Sequence, residues 1–341
     1  MVALRYNLMM DWHILGHEWA VDMLGEHIAS GQVRHAYLLC GPQGVGRRTL
    51  ALRFAQAINC LKPPTPGVPC LSCRVCQQIG RQQFSDLDII QASAEGKEIK
   101  IGQVRELHHH LSLAPYEARF RVALLLDFQE ANANAQNALL KTLEEAPTRV
   151  ILLLTAEAPE ALLPTIASRC EVLRLRPLPV IQAEGDLAAW AGLEASEARL
   201  LAHLSGGRVG YALRLHATPA ELDRRRALLD PLPGLLSASR RARLAYIISL
   251  TKDTGKSREI LRGALTVWLS YWRDLMLCIT GSDSPLVNLD REAELREMAA
   301  HLDLAAVRRA AAAIETALQG LDANANPRLL ADVMMLDWPR A

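Results

Sequence analysis

The sequence predicts an α/β sheet domain followed by two all-helical domains. Up to about residue 178, short apolar runs alternate with segments of helical periodicity, which is typical of a parallel sheet covered by helices. After Arg176-Pro177-Leu178-Pro179 the strand-like runs stop and the remaining sequence is helical. The 341 residues are enough for two or three domains. We expect the domains to cover residues 1–178, 179–222 and 223–341.

Five strands are expected in the first domain, because five β-branched or leucine-rich runs show little polar alternation, as in strands buried on both faces. They are Ala36–Cys40, Asp88–Gln91, Val122–Leu126, Ile151–Thr155 and Val172–Leu175. Helical periodicity predicts helices between them, over Arg48–Asn59, Ile101–Leu113, Ala133–Leu143 and Pro159–Ala167. The longest amphipathic stretches of the helical remainder are Glu259–Ile279 and Leu302–Leu321.

Composition excludes several classes of protein. A formal net charge of +1 gives no electrostatic case for a dedicated nucleic-acid binder. No uninterrupted apolar stretch is long enough to span a bilayer, and residues 1–11 lack the apolar centre of a signal peptide. We therefore expect a cytoplasmic protein. His108-His109-His110 falls on a predicted helix, where successive side chains point in different directions, so a solvated or partly packed face is favoured over a metal site.

A glycine-rich loop, Gly41-Pro-Gln-Gly-Val-Gly-Arg-Arg-Thr49, joins the first strand to the following helix. In this context backbone N–H groups converge on phosphate oxygens at a helix N-terminus. The glycines concerned are Gly41, Gly44 and Gly46. An active loop places a lysine and a Ser/Thr directly after the last glycine, whereas Arg47 and Arg48 stand here. The sequence predicts an NTPase fold that has lost its own hydrolysis. Whether these arginines bind an anion weakly or form a solvated helix start stays open.

Four cysteines form a second motif, with the spacing Cys60-x9-Cys70-x2-Cys73-x2-Cys76. Four thiolates with two short spacings suit the tetrahedral sulfur coordination of a structural Zn²⁺. The alternative, a set of free buried thiols, fits poorly with a proline-rich polar loop. Because four ligands leave no open position, a catalytic zinc is not expected. The isolated cysteines, Cys40, Cys170 and Cys278, are interpreted as structural.

The order of these features resembles the subunits of bacterial clamp loaders, which belong to the AAA+ family. The resemblance is carried by the glycine loop, the cysteine motif, Asn137-Ala-Leu-Leu-Lys-Thr-Leu-Glu-Glu-Ala-Pro147 and Ser168-Arg169-Cys170. It covers residues 14–178 densely and the helical remainder only in its general plan. It implies an AAA+ module of sheet domain and helical lid, then a helical collar. Five such subunits form an open ring that uses ATP to place a sliding clamp on primed DNA.

Two kinds of AAA+ subunit share these motifs in that family, the ATP-hydrolysing gamma/tau kind and the delta-prime kind, which generally does not hydrolyse ATP. The missing lysine favours the delta-prime kind. Active members also carry an Asp-Glu pair at the end of the third strand, where this chain has Leu126-Asp127 and keeps one acid. In the lid, the position of a phosphate-contacting arginine aligns loosely with Gly210, and Arg208 is the alternative.

Arg169 is the residue that the resemblance marks as functional. The arginine of the Ser168-Arg169-Cys170 motif is implied to enter the ATP site of the neighbouring subunit as an arginine finger, where its charge spreads over the γ-phosphate oxygens. The alternative is a surface ion pair or helix cap. The segment Ile14–His17 resembles the border of the adenine pocket of active members, and Thr155 lies where they hold a polar sensor.

Three functions follow from these observations. The first is a non-hydrolysing clamp-loader subunit that donates Arg169 and supports the ring. Its implied partners are gamma/tau and delta subunits, the sliding clamp and primed DNA, with no membrane. The second is a gamma/tau-like ATPase with an atypical loop. The third, a free-standing zinc protein that binds nucleic acid, is weakened by the near-neutral charge.

Overall fold

The computed structural model describes residues 12–92, 98–252 and 255–339. Residues 1–11, on which the expectation of no signal peptide depends, lie outside this range. The chain forms two compact units. The first comprises the residues up to Leu178 together with Arg208–Tyr211, and the second comprises Pro179–Gly207 and the residues from Ala212 onwards. This partition does not test the predicted domain boundaries, so the lid and collar division near residue 222 stays a prediction.

The first unit is built on a five-stranded parallel sheet with the order β2-β3-β4-β1-β5. The strands are β1 (Ala36–Cys40), β2 (Leu87–Ile90), β3 (Arg121–Leu125), β4 (Val150–Ala156) and β5 (Glu171–Arg174). Every residue of β1, β3 and β4 is buried, as their continuous apolar sequences predict. The predicted α/β class is confirmed, with strand ends shifted by at most one residue.

Six helices of this unit pack on the sheet or follow its strands: α1 (Glu18–Ala29), α2 (Arg47–Asn59), α3 (Arg74–Gly80), α4 (Ile101–Leu111), α5 (Ala133–Glu144) and α6 (Pro164–Ala167). Successive residues of a strand point to opposite faces. Leu39 therefore joins the apolar cluster that contains Phe54 of α2. Leu38 joins the cluster that contains Leu139 of α5. The two faces of the sheet thus hold separate cores.

The helix predicted over Pro159–Ala167 is wrong as a single element. A 3-10 turn at Pro159–Ala161 and the four-residue helix α6 take its place. Leu162 and Leu163 between them are extended, with ψ angles of 164° and 134°. The cause is Pro164, which disfavours helical geometry at the residue before it and has no N–H to continue a helix.

Asp86, which the sequence analysis passed over, is a buried anchor of the sheet. Its carboxylate is fully buried and accepts hydrogen bonds from the backbone N–H groups of Tyr116, Glu117 and Ala118 at 2.8–2.9 Å. Arg121 Nη2 of β3 donates a fourth bond at 2.9 Å. Burial works against the charge, but these donors outweigh it and lower the pKa of Asp86. The carboxylate therefore fixes the loop that precedes β3.

The second unit is helical throughout its described residues. Its helices are α7 (Val180–Ala191), α8 (Ala195–Ser205), α9 (Val209–Ala217, which starts in the first unit), α10 (Pro219–Leu229), α11 (Leu232–Ser237), α12 (Arg240–Leu250), α13 (Ser257–Thr280), α14 (Glu292–Ala299), α15 (Leu304–Asp322) and α16 (Pro327–Asp337). Trp338 packs edge-on against Trp268 and Trp272 in its core, with ring centroids 5.4 and 5.3 Å apart. Trp190, by contrast, is 42% exposed. Among the described helices, none combines the length and apolar character needed to cross a membrane.

Candidate functional site

The glycine loop has the backbone of a phosphate-binding loop. It leaves β1 at Cys40 and enters α2 at Arg47. Gly41 has a φ of 152°, and a Cβ there would lie 2.5 Å from the carbonyl oxygen of Leu175. Gly44 has a φ of 81° and is equally closed to a side chain, because a Cβ would lie 2.7 Å from Tyr211 Cβ. Only glycine fits these two positions without displacing its neighbours.

Arg47 occupies the position after the last glycine and is turned into the protein. The residue is only 7% exposed, and its Nη2 lies 2.8 Å from Oδ1 of Asp127, which follows β3. Its Nη1 is buried and makes no hydrogen bond within the described residues. The arginine in the lysine position is therefore committed to the one surviving acid of the site. The sequence identified Arg47 as a departure from the active pattern and Asp127 as the acid that is kept, but it did not predict that they pair.

Asp127 is itself held by the sheet. Its backbone N–H donates to Thr155 Oγ1 at the end of β4, at 2.8 Å, and Thr155 is buried. Asp127 has a left-handed φ of 46°. Leu126, at the position where active relatives are implied to carry the magnesium-binding acid, is also buried and offers no oxygen ligand. The edge of the sheet thus provides one carboxylate, which a cation of the same chain already neutralises.

Arg48 does not join this pair. Its side chain is exposed, and Nη2 donates to Gln82 Oε1 at 2.6 Å, beyond the end of α3. Of the two arginines, Arg47 alone contributes to the interior of the loop. The solvated helix start that the sequence offered as one interpretation describes Arg48, whereas Arg47 is buried.

His17 supports the loop from the segment before α1. Its Nε2 lies 2.9 Å from the carbonyl oxygen of Val45, so Nε2 carries the proton and donates. Burial lowers the pKa of His17, although the Val45 carbonyl favours the protonated form. A neutral histidine at neutral pH follows. The segment Ile14–His17 thus supports the loop through the hydrogen bond from the His17 side chain to the backbone carbonyl of Val45.

The start of α9 also contacts the loop, and it groups with the first unit. The backbone N–H of Tyr211 donates to the carbonyl of Gly44 at 3.1 Å. Arg208 Nη1 donates to the carbonyl of Gln43 at 3.3 Å, and its guanidinium lies 4.7 Å from the Tyr211 ring centroid. Gly210 packs directly on the loop. Arg208 therefore contacts the glycine loop at a carbonyl oxygen. A carbonyl oxygen would repel the oxygens of a phosphate.

Arg169 lies away from this loop, on the turn that follows α6. Its Nη1 donates to the carbonyl of Thr165 at 2.9 Å, and its Nη2 donates to Oε1 of Glu144 at 2.7 Å. The side chains of Arg169 and Glu144 are 37% and 52% exposed. Cys170, next in sequence, stays a neutral thiol because burial raises its pKa to about 12. The turn therefore holds the Arg169 guanidinium at the surface, next to the partly buried side chain of Cys170.

The four cysteines meet as their spacing predicts. The sulfur atoms of Cys60, Cys70, Cys73 and Cys76 all lie within 4.8 Å of one another. A tetrahedral zinc with bonds of about 2.3 Å requires sulfur separations of about 3.8 Å, so the donor set fits this ion. Burial opposes the charge of Cys70, but the N–H groups of Cys73 and Ser72 and the neighbouring thiols lower its pKa to about 6. Burial instead raises the pKa of Cys60 and Cys76, so without an ion the thiolate is favoured at Cys70 and opposed at these two positions.

The three successive histidines are not assembled into a metal site. His110 Nδ1 lies 3.0 Å from Asp88 Oδ1, and His108 and His109 are exposed. Across residues 12–92, 98–252 and 255–339, the cysteine cluster is the one group of three or more potential ligands close enough to share an ion.

Comparison with known proteins finds similarity to DNA polymerase III subunits. Residues 16–179 match a family model described as DNA polymerase III, delta subunit. The DNA polymerase III subunit delta' of Pseudomonas aeruginosa is 37% identical over 59% of this chain and 61% of its own length. That of Bacillus subtilis is 28% identical over 93% of this chain and 94% of its own length. The subunit tau of Escherichia coli is 35% identical over 51% of this chain.

Coverage of these relatives is uneven. The match spans less than two thirds of the Pseudomonas protein and 26% of the Escherichia coli tau subunit. Among solved structures, a DNA polymerase III gamma subunit-related protein from Thermotoga maritima superposes with a TM-score of 0.50 at 18% identity. That superposition covers 93% of this chain and 97% of the other. The last likeness concerns the fold alone.

Proposed function

We propose, on the premise that residues 16–179 belong to the DNA polymerase III delta-subunit family, that this chain is a delta-prime-like subunit of a bacterial clamp loader. It works in the cytoplasm as a component of the polymerase III holoenzyme. It assembles with gamma/tau and delta subunits, and the assembly places a sliding clamp on primed DNA. The chain hydrolyses no ATP itself.

The ion pair between Arg47 and Asp127 carries this proposal. Phosphoryl transfer requires a cation on the β- and γ-phosphates and a carboxylate that holds magnesium. Here the cation and the remaining carboxylate neutralise each other at 2.8 Å, and Leu126 offers no second acid. A nucleotide would have to displace a nearly buried guanidinium from its partner and would then find no magnesium ligand at Leu126. The site therefore lacks the charge stabilisation that hydrolysis needs.

Arg169 supplies what this subunit contributes to catalysis elsewhere. Its guanidinium is at the surface and keeps three of its five N–H donors free of the two bonds described above. In the ring it enters the ATP site of the neighbouring subunit, where it binds the oxygens of the γ-phosphate as charge develops in the transition state. Ser168 and Cys170 shape the turn that carries it.

The remaining parts are structural. Cys60, Cys70, Cys73 and Cys76 hold a structural Zn²⁺, which fastens α3 to the end of α2. In support, Gln56 of α2 donates through Nε2 to the carbonyl of Cys76 at 2.6 Å, so the cluster and α2 are already joined. Residues 179–222 form the small helical lid, and residues 223–341 form the collar through which the subunits assemble.

The second candidate is a gamma/tau-like ATPase with an atypical loop. The glycine geometry at Gly41 and Gly44 favours it, as does the likeness to tau subunits. In that case a nucleotide would pull Arg47 away from Asp127 and use its charge. The two candidates differ in one measurable property, which is turnover by the isolated chain.

Steady-state ATPase assays on the isolated chain and on the reconstituted loader separate them. We expect no turnover by the chain alone. In the loader we expect Arg169→Ala to slow hydrolysis at the one neighbouring site that it serves by about a thousandfold, because a trans-acting arginine contributes a factor of this order, and so to lower the steady-state rate by the share of that site. Arg174→Ala is the matched control, since Arg174 is another exposed arginine in a surface ion pair, with Glu160 at 2.8 Å. Robust turnover by the isolated chain, or equal rates for the two variants, would contradict the proposal.

A further inference from the structure

The contact between Glu144 and Arg169 joins two conspicuous motifs of the sequence. Glu144 is the last residue of α5, and Arg169 follows α6, so 25 positions separate the residues. Oε1 of Glu144 accepts from Nη2 of Arg169 at 2.7 Å. Lys141, three positions before Glu144 on α5, is a nearer possible partner for this acid. Within residues 98–252, Glu144 pairs with Arg169 instead.

Glu144 occupies an electrostatically poor position for an acid. The last turn of a helix carries partial negative charge, which disfavours a carboxylate. Residue 145 is also a glutamate, and it is exposed without an ion pair in the described structure. The contact with Arg169 offsets the unfavourable field for Glu144 alone. This difference makes Glu145 a natural control for Glu144.

The same helix fixes the segment that carries Arg169. Gln136 of α5 is buried, accepts from the backbone N–H of Leu163 at 3.0 Å, and donates to the carbonyl of Ala131 at 3.0 Å. Leu163 directly precedes α6. Helix α5 thus holds the beginning of the α6 segment through Gln136 and its end through Glu144. Helix α5 therefore fixes the segment that carries Arg169 at two points, which are Leu163 and Arg169 itself.

We propose that Glu144 is a positioning residue for Arg169. It and the Thr165 carbonyl each take one guanidinium donor and fix the direction of the side chain, while the other donors stay available for phosphate oxygens. The inference rests on the proposed function of Arg169 as a trans-acting arginine. A guanidinium already oriented loses less conformational freedom on binding phosphate, so its preorganisation raises the rate.

The test compares Glu144→Gln with Glu145→Gln in the reconstituted loader. Both remove one acid of the same type from the same end of α5. We expect Glu144→Gln to lower kcat about two- to fivefold with KM for ATP unchanged, the size expected for an exposed pair. Glu144→Asp should restore part of the rate. Glu145→Gln should match the unchanged chain. Equal rates for the two Gln variants, or a higher kcat for Glu144→Gln, would overturn the inference.

Two further arms make the result specific. In the Arg169→Ala background, Glu144→Gln should have no additional effect, because the coupling runs through Arg169. In the isolated chain, nitrogen-15 relaxation of the Arg169 Nε–H group should show greater mobility in Glu144→Gln than in Glu145→Gln. If Arg169→Ala leaves the loader unaffected, the proposed function fails. If Arg169 is equally mobile in both variants, the positioning role fails, whatever the loader assay gives.

Discussion

Arg47 and Arg169 each pair with one carboxylate of the same unit, yet they are placed in opposite ways. Arg47 is 7% exposed and reaches Asp127 inside the site, whereas the Arg169 side chain is 37% exposed and reaches Glu144 at the surface. A buried charge that loses its partner stays uncompensated, but a surface charge is solvated by water. The first pair is therefore fixed, whereas the guanidinium of the second keeps exposed donors that can bind another anion while Glu144 stays in place. Burial decides which arginine can serve a second molecule.

Removal of zinc tests the region that contains the buried Arg47, and it has the largest expected effect on stability. The cysteine cluster is bonded to α2, the helix that begins at Arg47, and it has no hydrogen bond to the Arg169 turn among the described contacts. Chelation should lower the free energy of unfolding of the first unit by about 3 kcal/mol or more, because metal binding is coupled to folding. Hydrogen exchange of α2 amides in urea measures the loss, with α5 amides as the comparison.

Elemental analysis of the purified chain accompanies this experiment. About one zinc per chain is expected, and Cys73→Ser should lower the zinc content together with stability. A chain without zinc, or one whose stability is unchanged by a chelator, would contradict the assignment of the four cysteines.

Asp127→Asn should have an intermediate effect. It leaves the Arg47 guanidinium buried beside a neutral amide, which costs about 1–3 kcal/mol of stability, less than for a fully buried pair because the Asp127 side chain is 41% exposed. Glu144→Gln is the matched change at the exposed pair and should cost less than about 1 kcal/mol. Urea midpoints of the first unit measure both. Equal losses would show that burial does not distinguish the two pairs.

The smallest effect concerns His17, which supports the loop through Val45. Because burial lowers its pKa, the folded chain takes up this proton at lower pH than the unfolded chain. The stability from this group is complete above about pH 6.5 and falls as the pH decreases towards the folded-state pKa. His17→Gln should flatten this part of the pH profile, whereas His109→Gln, at an exposed position, should not. Urea midpoints between pH 7.5 and 5 provide the check.

The sheet could be predicted because each of its strands is recognisable from its own local sequence. Runs such as Ala36–Cys40 and Val122–Leu126 are apolar throughout, and strands buried on both faces need this composition. The cysteine cluster was predictable for a similar reason, since ligand spacing within one loop restricts the geometry. The helix at Pro159–Ala167 was predicted from periodicity alone, and the backbone restriction imposed by Pro164 outweighed that pattern.

The pairing of side chains could not be predicted from the sequence. Arg47 and Asp127 are 80 positions apart. Nothing in the sequence around either residue indicates that the arginine in place of the usual lysine contacts this acid. Glu144 and Arg169 also meet only because α5 and α6 pack together. Asp86 was missed because its hydrogen-bond donors are mainly backbone N–H groups of a loop 30 positions away. Every residue type except proline carries such a group, so the sequence does not indicate the contact.

Gly210 leaves no room for a side chain beside the glycine loop. A Cβ at this position would lie 2.8 Å from the carbonyl oxygen of Gly44, which is too close for any side chain. An arginine here would push the phosphate loop aside before it could reach a nucleotide. The close approach of α9 to the Gly44 carbonyl therefore restricts position 210 to glycine, whatever side chains stand at positions 47 and 126.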